Sequence, residues 1–214
     1  MKALDLHITD ICSLNCAQCS HGIPFLRSTY AMSIDELHQI KNLIDPDVRI
    51  NVSGGEPTCH PNFVEFCKTL RTLFPHTYLR MMSNGHKAEQ YKEVILSTFD
   101  SVVFTDYPGG VHLIPGEWSS KVKFKRMNHR LISKTGGVVD CPFKQFPMVR
   151  DFRIHSCCRI FGLMLHQQKD PEGYSVPLSE WEHLIGVDEA TCKNCWTSPH
   201  EKMFEPNTED LNRL

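Results

Sequence analysis

Apolar and polar residues alternate from the start of the chain: Leu4, Leu6 and Ile8 against Asp5, His7 and Thr9. A period of two sends neighbouring side chains to opposite faces of a strand, so a first strand is expected at 4–9. The alternation returns at 48–53, where Val48, Ile50 and Val52 oppose Arg49, Asn51 and Ser53, and at 121–127, where Val122 and Phe124 oppose Lys121, Lys123 and Lys125. Strands are also expected at 78–83 and 101–105. Between them the apolar spacing lengthens to that of helices. Residues 33–44 carry Ile34, Leu37, Ile40 and Ile44 behind Ser33 and Glu36, which form a capping-box pair. Residues 62–74 place Phe63, Phe66, Cys67, Leu70 and Phe74 on one face, and Pro75 stops the helix. A third helix is expected at 87–99.

Strands that alternate with helices predict parallel βαβ units with right-handed crossovers. The expected fold is α/β, a partial (β/α) barrel of about five to six units, short of the eight of a closed barrel. Strands buried on both faces would be apolar throughout. These are not, so one face is expected under the helices and the other along a polar cavity, with a solvent-exposed sheet face as the alternative. After residue 130 the rhythm stops. Residues 131–214 are rich in Gly, Pro and Cys, with one helical stretch at 178–185. The expected organisation is therefore 1–130 as the barrel and 131–214 as a small cysteine-rich region held by metal rather than by a large apolar core.

The charge balance narrows the partners. A formal net charge of -2 gives no global signal for nucleic acid or an anionic membrane. No apolar run approaches the roughly 18 residues of a membrane span, and the first residues lack a signal-peptide core. A cytoplasmic protein is expected. Its 10 cysteines are then reduced, and clustered cysteines read as metal ligands.

Active sites of βα folds lie at the C-terminal ends of the strands. Cys12, Gly54, Asn84 and Asp106 all fall there. Cys12, Cys16 and Cys19 follow the first strand with spacing Cys-x3-Cys-x2-Cys. Three thiolates this close can hold three irons of a cubane and leave the fourth open to chemistry. Zinc is the alternative, with His21 as a fourth ligand.

This spacing resembles the signature of the radical S-adenosylmethionine (SAM) superfamily, over roughly residues 3–130. The resemblance implies a [4Fe-4S] cluster whose open iron is chelated by the amine and carboxylate of SAM. Reductive cleavage of the sulfonium then yields a 5′-deoxyadenosyl radical that abstracts hydrogen from a substrate. It also implies a low-potential electron donor such as flavodoxin or ferredoxin. Gly54-Gly55-Glu56-Pro57 resembles the family's motif at the SAM ammonium, and Ser83-Asn84 a polar position that contacts SAM. An Asn-Gly turn is the structural alternative for Asn84. Gln18 stands where the family usually carries an aromatic residue near the adenine.

The late cysteines resemble the twitch domain, a shortened form of the SPASM extension of this superfamily. On that resemblance Cys141, Cys157, Cys192 and Cys195 would hold a second [4Fe-4S] cluster, with Cys158 as the alternative to Cys157 and a structural zinc as the alternative metal. Cys59 and Cys67 are expected to be packing residues.

The chain enters its first strand at once, so an anionic small molecule is expected as substrate rather than a ribosomal peptide. His7, Arg49, Arg80, Lys123 and Lys125 alternate onto the expected cavity face and suit a phosphate or carboxylate. Asp106 and Tyr107, closing the fourth strand, are placed to take a proton in an oxidation or rearrangement. A peptide- or protein-modifying maturase and a non-catalytic zinc module are the rival readings.

Overall fold

The computed structural model describes residues 3–16, 19–26, 29–44, 47–107, 118, 121–126 and 146–193. Five strands run parallel in chain order: β1 (Ala3–His7), β2 (Arg49–Ser53), β3 (Leu79–Ser83), β4 (Ser101–Asp106) and β5 (Val122–Arg126). A sixth, β6 (Met148–Arg150), joins the other side of β1, also parallel. Strands β7 (Arg153–His155) and β8 (Ser175–Pro177) extend that edge antiparallel. The described residues thus form an eight-stranded sheet in the order β5-β4-β3-β2-β1-β6-β7-β8.

Helices α1 (Ile34–Leu43), α2 (Phe63–Leu73) and α3 (Lys92–Thr98) cross between successive strands. All three pack on one face of the sheet. Leu4, Leu6, Ile50, Val52, Leu79, Met81, Val102 and Phe104 meet Leu37, Ile40, Phe63, Phe66, Leu70 and Ile95 in one apolar core. Burying one such side chain is worth about 1.5–3 kcal/mol, against a few tenths per residue for helix propensity. Packing therefore decides these helices.

The opposite face is polar. Register sets Asp5, Asn51, Arg80 and Ser101 in a row across β1 to β4. Asp5 and Ser101 are buried, and Asn51, Arg80 and, one pair back on β2, Arg49 are half-buried. The two-faced strands read from the alternation are present.

Local departures have local causes. Ser33 Oγ accepts the Glu36 amide at 3.1 Å, but the Glu36 side chain does not complete the capping box. It accepts instead from Tyr30 Oη at 2.7 Å and from the Phe152 amide at 2.9 Å. The third helix begins at Lys92 rather than 87, because Lys87 takes a left-handed φ of 51° and the chain turns tightly before Tyr91. The helical stretch expected at 178–185 is a 3-10 turn, Leu178–His183, with a non-helical break at Glu180.

The segment after residue 146 carries more regular structure than its composition suggested. Two more helices, α4 (Ile160–His166) and α5 (Glu189–Lys193), follow β7 and β8. Val149, Ile154 and Leu178 belong to the same apolar core as the parallel strands. Among the described residues no helix is long and apolar enough to cross a membrane.

Candidate active site

The chain leaves β1 and enters the loop of Cys12, Cys16 and Cys19, none of which forms a disulfide. Backbone amides face two of the three sulfurs. Leu14 donates to Cys12 Sγ at 3.4 Å, and the amides of Ile23, His21 and Gly22 point at Cys19. Burial pushes all three thiols up, Cys16 to about 12, with each neighbouring thiol adding to the effect on Cys12. A half-buried sulfur faced by N–H donors suits a thiolate bound to a cationic metal centre. The donor set fits the cluster that the spacing implies. Among the described residues, no three His, Cys, Asp or Glu side chains converge as a site for a single metal ion.

Gly54 and Gly55 let β2 run against this loop. The Gly55 amide donates to Thr9 O at 2.7 Å and the Glu56 amide to Ile11 O at 2.8 Å. Gly54 has a φ of 137°, and a Cβ there would lie 2.6 Å from Thr9 O. A Cβ on Gly55 would lie 2.4 Å from Ile11 O. The close approach the glycines permit is thus between two stretches of backbone.

Glu56 is fully buried and ties three elements together. Its Oε1 accepts from the Thr58 amide at 3.1 Å, Thr58 Oγ1 at 2.8 Å and Ser83 Oγ at 2.8 Å, and its Oε2 accepts from the Asn84 amide at 2.7 Å. Burial raises its carboxyl and these donors pull it back down. Asn84 reaches onward: Nδ2 donates to Ser13 Oγ at 3.1 Å and lies 3.9 Å from Cys12 Sγ. Glu56, Ser83, Asn84 and Cys12 are therefore brought into one constellation, although they come from three strand ends.

Tyr107, just past β4, is half-buried. Burial pushes its phenol far up, and the thiols of Cys16, Cys19 and Cys12 with Glu56 push the same way. It sits beside the cysteine loop and holds its proton there. The Asp106 side chain and Gln18 lie outside the described residues, as do Cys141 and Cys195. Cys157 and Cys158 lie between β7 and α4, and Cys192 on α5. Cys157 and Val187 pack against the same small apolar cluster of Ile160, Leu163 and Met164, and Cys192 Sγ is 4.0 Å from Val187 O.

Just under half of the chain matches the model of one known protein family. Residues 6–105 match the family model of the radical SAM superfamily, a span that holds the cysteine loop, the glycine pair and the Ser83–Asn84 turn. Two curated relatives agree. GTP 3',8-cyclase 1 of Pseudomonas aeruginosa is 31% identical over 91 residues, 41% of this chain and 28% of that protein. GTP 3',8-cyclase of Mannheimia succiniciproducens is 25% identical over 122 residues, 53% of this chain and 36% of that one. The chain thus matches about a third of the length of these relatives. In fold it is similar to BtrN solved in complex with AdoMet and 2-DOIA, with a TM-score of 0.64, 13% identity, and coverage of 95% of this chain and 98% of BtrN. BtrN in an open conformation gives a TM-score of 0.56 at 15% identity, covering 91% of this chain and 92% of that one.

Of the cations expected on the polar face, His7 is committed to Asp10 and His21, at 2.7 and 3.2 Å. Lys123 is exposed, and the Lys125 side chain lies outside the described residues. Arg49 and Arg80 remain. Among the described residues, Arg49 Nε, Arg80 Nε and the neighbouring Asn51 Oδ1 are buried with no hydrogen-bond partner. Sequence reading did not single out Asp10 or Arg150, which pair beside the cysteine loop. They are 140 residues apart, and no local pattern links them.

Proposed function

We propose that this protein cleaves SAM reductively at a [4Fe-4S] cluster held by Cys12, Cys16 and Cys19, and uses the radical on an anionic small molecule in an oxidation or rearrangement. The observation that carries this reading is the single constellation of Cys12, Ser13, Asn84, Ser83 and Glu56 at the C-terminal strand ends. When bound, the cluster and SAM supply the electron and the 5′-deoxyadenosyl radical. The chain's own part is positional. Glu56 braces the turn after β3 from the turn after β2, and Asn84 ties that turn to the loop of thiols. Gly54 and Gly55 set the separation of β2 from the loop. The SAM amine would meet the backbone around Glu56, with Gln18 toward the adenine.

The polar face supports the substrate class. Two guanidinium Nε donors and one amide acceptor, buried without partners, suit an anion that also carries a hydroxyl or amine. Arg49 is backed by Phe146, whose ring centroid is 5.5 Å from the guanidinium carbon. Nucleotides are the first candidates, since the curated relatives are GTP cyclases by name, followed by sugar phosphates and amino acid derivatives. Asp106 is the candidate base in an oxidation, and Tyr107 a hydroxyl that stays protonated. A second [4Fe-4S] cluster on Cys141, Cys157, Cys192 and Cys195 would accept or relay the substrate electron. Cys158 is the alternative to Cys157 as the ligand. Flavodoxin or ferredoxin would supply the reducing electron in the cytoplasm.

The test is a screen of anionic metabolites for stimulated 5′-deoxyadenosine release by the anaerobically reconstituted protein. Arg49→Met and Arg80→Met should each raise the KM for the active compound about 10- to 100-fold, the cost of one hydrogen bond to a charged group. They should leave substrate-independent SAM cleavage unchanged. An active compound that is neutral, or an unchanged KM in both variants, contradicts the substrate class.

A further inference from the structure

Asp10 stands two residues before Cys12, and its carboxylate is held from the far end of the sequence. Arg150, closing β6, donates Nε to Asp10 Oδ1 at 3.2 Å and an Nη to Oδ2 at 2.5 Å. That two-pronged contact fixes direction as well as distance, which a lysine cannot do. The guanidinium is itself held: its carbon is 4.8 Å from the ring centroids of both Tyr30 and Phe161. Asp10 Oδ1 also accepts His7 Nε2 at 2.7 Å, and His7 Nδ1 is 3.2 Å from His21 Nδ1, two residues past Cys19. One buried chain of contacts thus joins both ends of the cysteine loop to β6.

Helix α4 holds the exit of the loop by steric contact. Gly162 lies so close to the loop that a Cβ there would stand 2.2 Å from Ser20 O and 2.9 Å from Gly22 N. Gly22 answers with a left-handed φ of 68°, and a Cβ on it would meet Leu165 at 2.7 Å. One turn further on, His166 Nε2 is 3.3 Å from Cys19 O. The loop therefore rests on α4 backbone to backbone, where nothing larger than hydrogen fits.

We infer that Arg150 and Gly162 are positioning residues for the three-cysteine loop, Arg150 fixing its entrance through Asp10 and Gly162 its exit at Ser20–Gly22. Neither touches the reacting atoms. The segment from β6 to α4 thereby sets the spread of the three thiols, on a region outside the matched residues 6–105. The inference rests on the reading that this loop holds a cluster.

The experiment compares Arg150→Met, Arg150→Lys, Asp10→Asn and Gly162→Ala in the full, reconstituted chain. Three quantities are read: the EPR signal that SAM perturbs, the rate at which that signal is lost to an iron chelator, and thermal unfolding. Arg150→Met and Asp10→Asn should each speed cluster loss about tenfold. Arg150→Lys should fall between them and wild type, because it keeps the charge and loses the fork. The double variant should be no faster than Arg150→Met, since both act through one contact. Gly162→Ala should alter the EPR line shape. Leu70→Ala, in the core beneath α2, is the control that lowers unfolding temperature without changing the signal or its loss. If Arg150→Lys and Gly162→Ala behave like Leu70→Ala, the positioning role is overturned, and these two milder changes keep the test valid if Arg150→Met fails to fold. A wild-type protein with no SAM-sensitive signal would sink the reading of the loop itself, which is a different result.

Discussion

At the scale of single residues, the buried acids divide the work between structure and chemistry. Glu56 was legible as a functional residue from its Gly-Gly-Glu-Pro setting. Its bonds to Ser83 and Asn84 were not, because they close only when the ends of β2 and β3 meet. Asp5 shows the opposite case. It alternates with Leu4 and Leu6 as a plain polar-face residue, yet it lies buried, its carboxyl accepting from Ser53 Oγ at 2.8 Å. Burial raises its carboxyl from 3.8 to about 7. The folded protein thus keeps a proton that the unfolded chain releases near 3.8. The stability tied to it is complete below about pH 4 and is lost as pH rises through about 7, up to roughly 4 kcal/mol. Asp5→Asn removes that dependence, so its unfolding temperature should match wild type near pH 4 and exceed it at pH 8. Parallel curves for the two proteins over that range would mean that Asp5 titrates normally.

At the scale of elements, the first half of the chain was legible and the second was not, for one physical reason. Strands β1 to β5 and helices α1 and α2 are long enough to repeat a period, and each lies within about two residues of its expected bounds. Strands β6, β7 and β8 have three residues each and show no period at all. β6 is placed by pairing with β1, more than 140 residues away in sequence, β7 by pairing with β6 and β8 by pairing with β7, and Val149 and Ile154 join them to the core. The glycine pair after β2 was legible as part of the motif that resembles the family's SAM-ammonium site. The structure places the backbone of Thr9–Ile11 against it. This makes the junction of β2 with the cysteine loop intolerant of a methyl group. Gly55→Ala must move Ile11 O, which a Cβ would approach to 2.4 Å. We expect such a variant to lose about 1–3 kcal/mol of stability, as overpacked sites do, and to bind less iron per chain after reconstitution. Wild-type iron content and unfolding temperature in Gly55→Ala would show that the loop has room to shift.

At the scale of the whole molecule, one sheet carries both halves of the site. The cysteine loop, the Glu56 turn and the Asn84 turn come from β1, β2 and β3, while β6 and α4 return from the C-terminal half to hold the loop from its other side. The central claim is that the three thiols leave one iron of a cubane open to SAM. It is tested most directly by incubating the anaerobically reconstituted protein with SAM and dithionite and measuring 5′-deoxyadenosine, beside Cys16→Ala prepared in the same way. The account predicts steady formation by the wild type and none above background by the variant. Equal formation by both, or none by a wild-type protein loaded with iron, would contradict it.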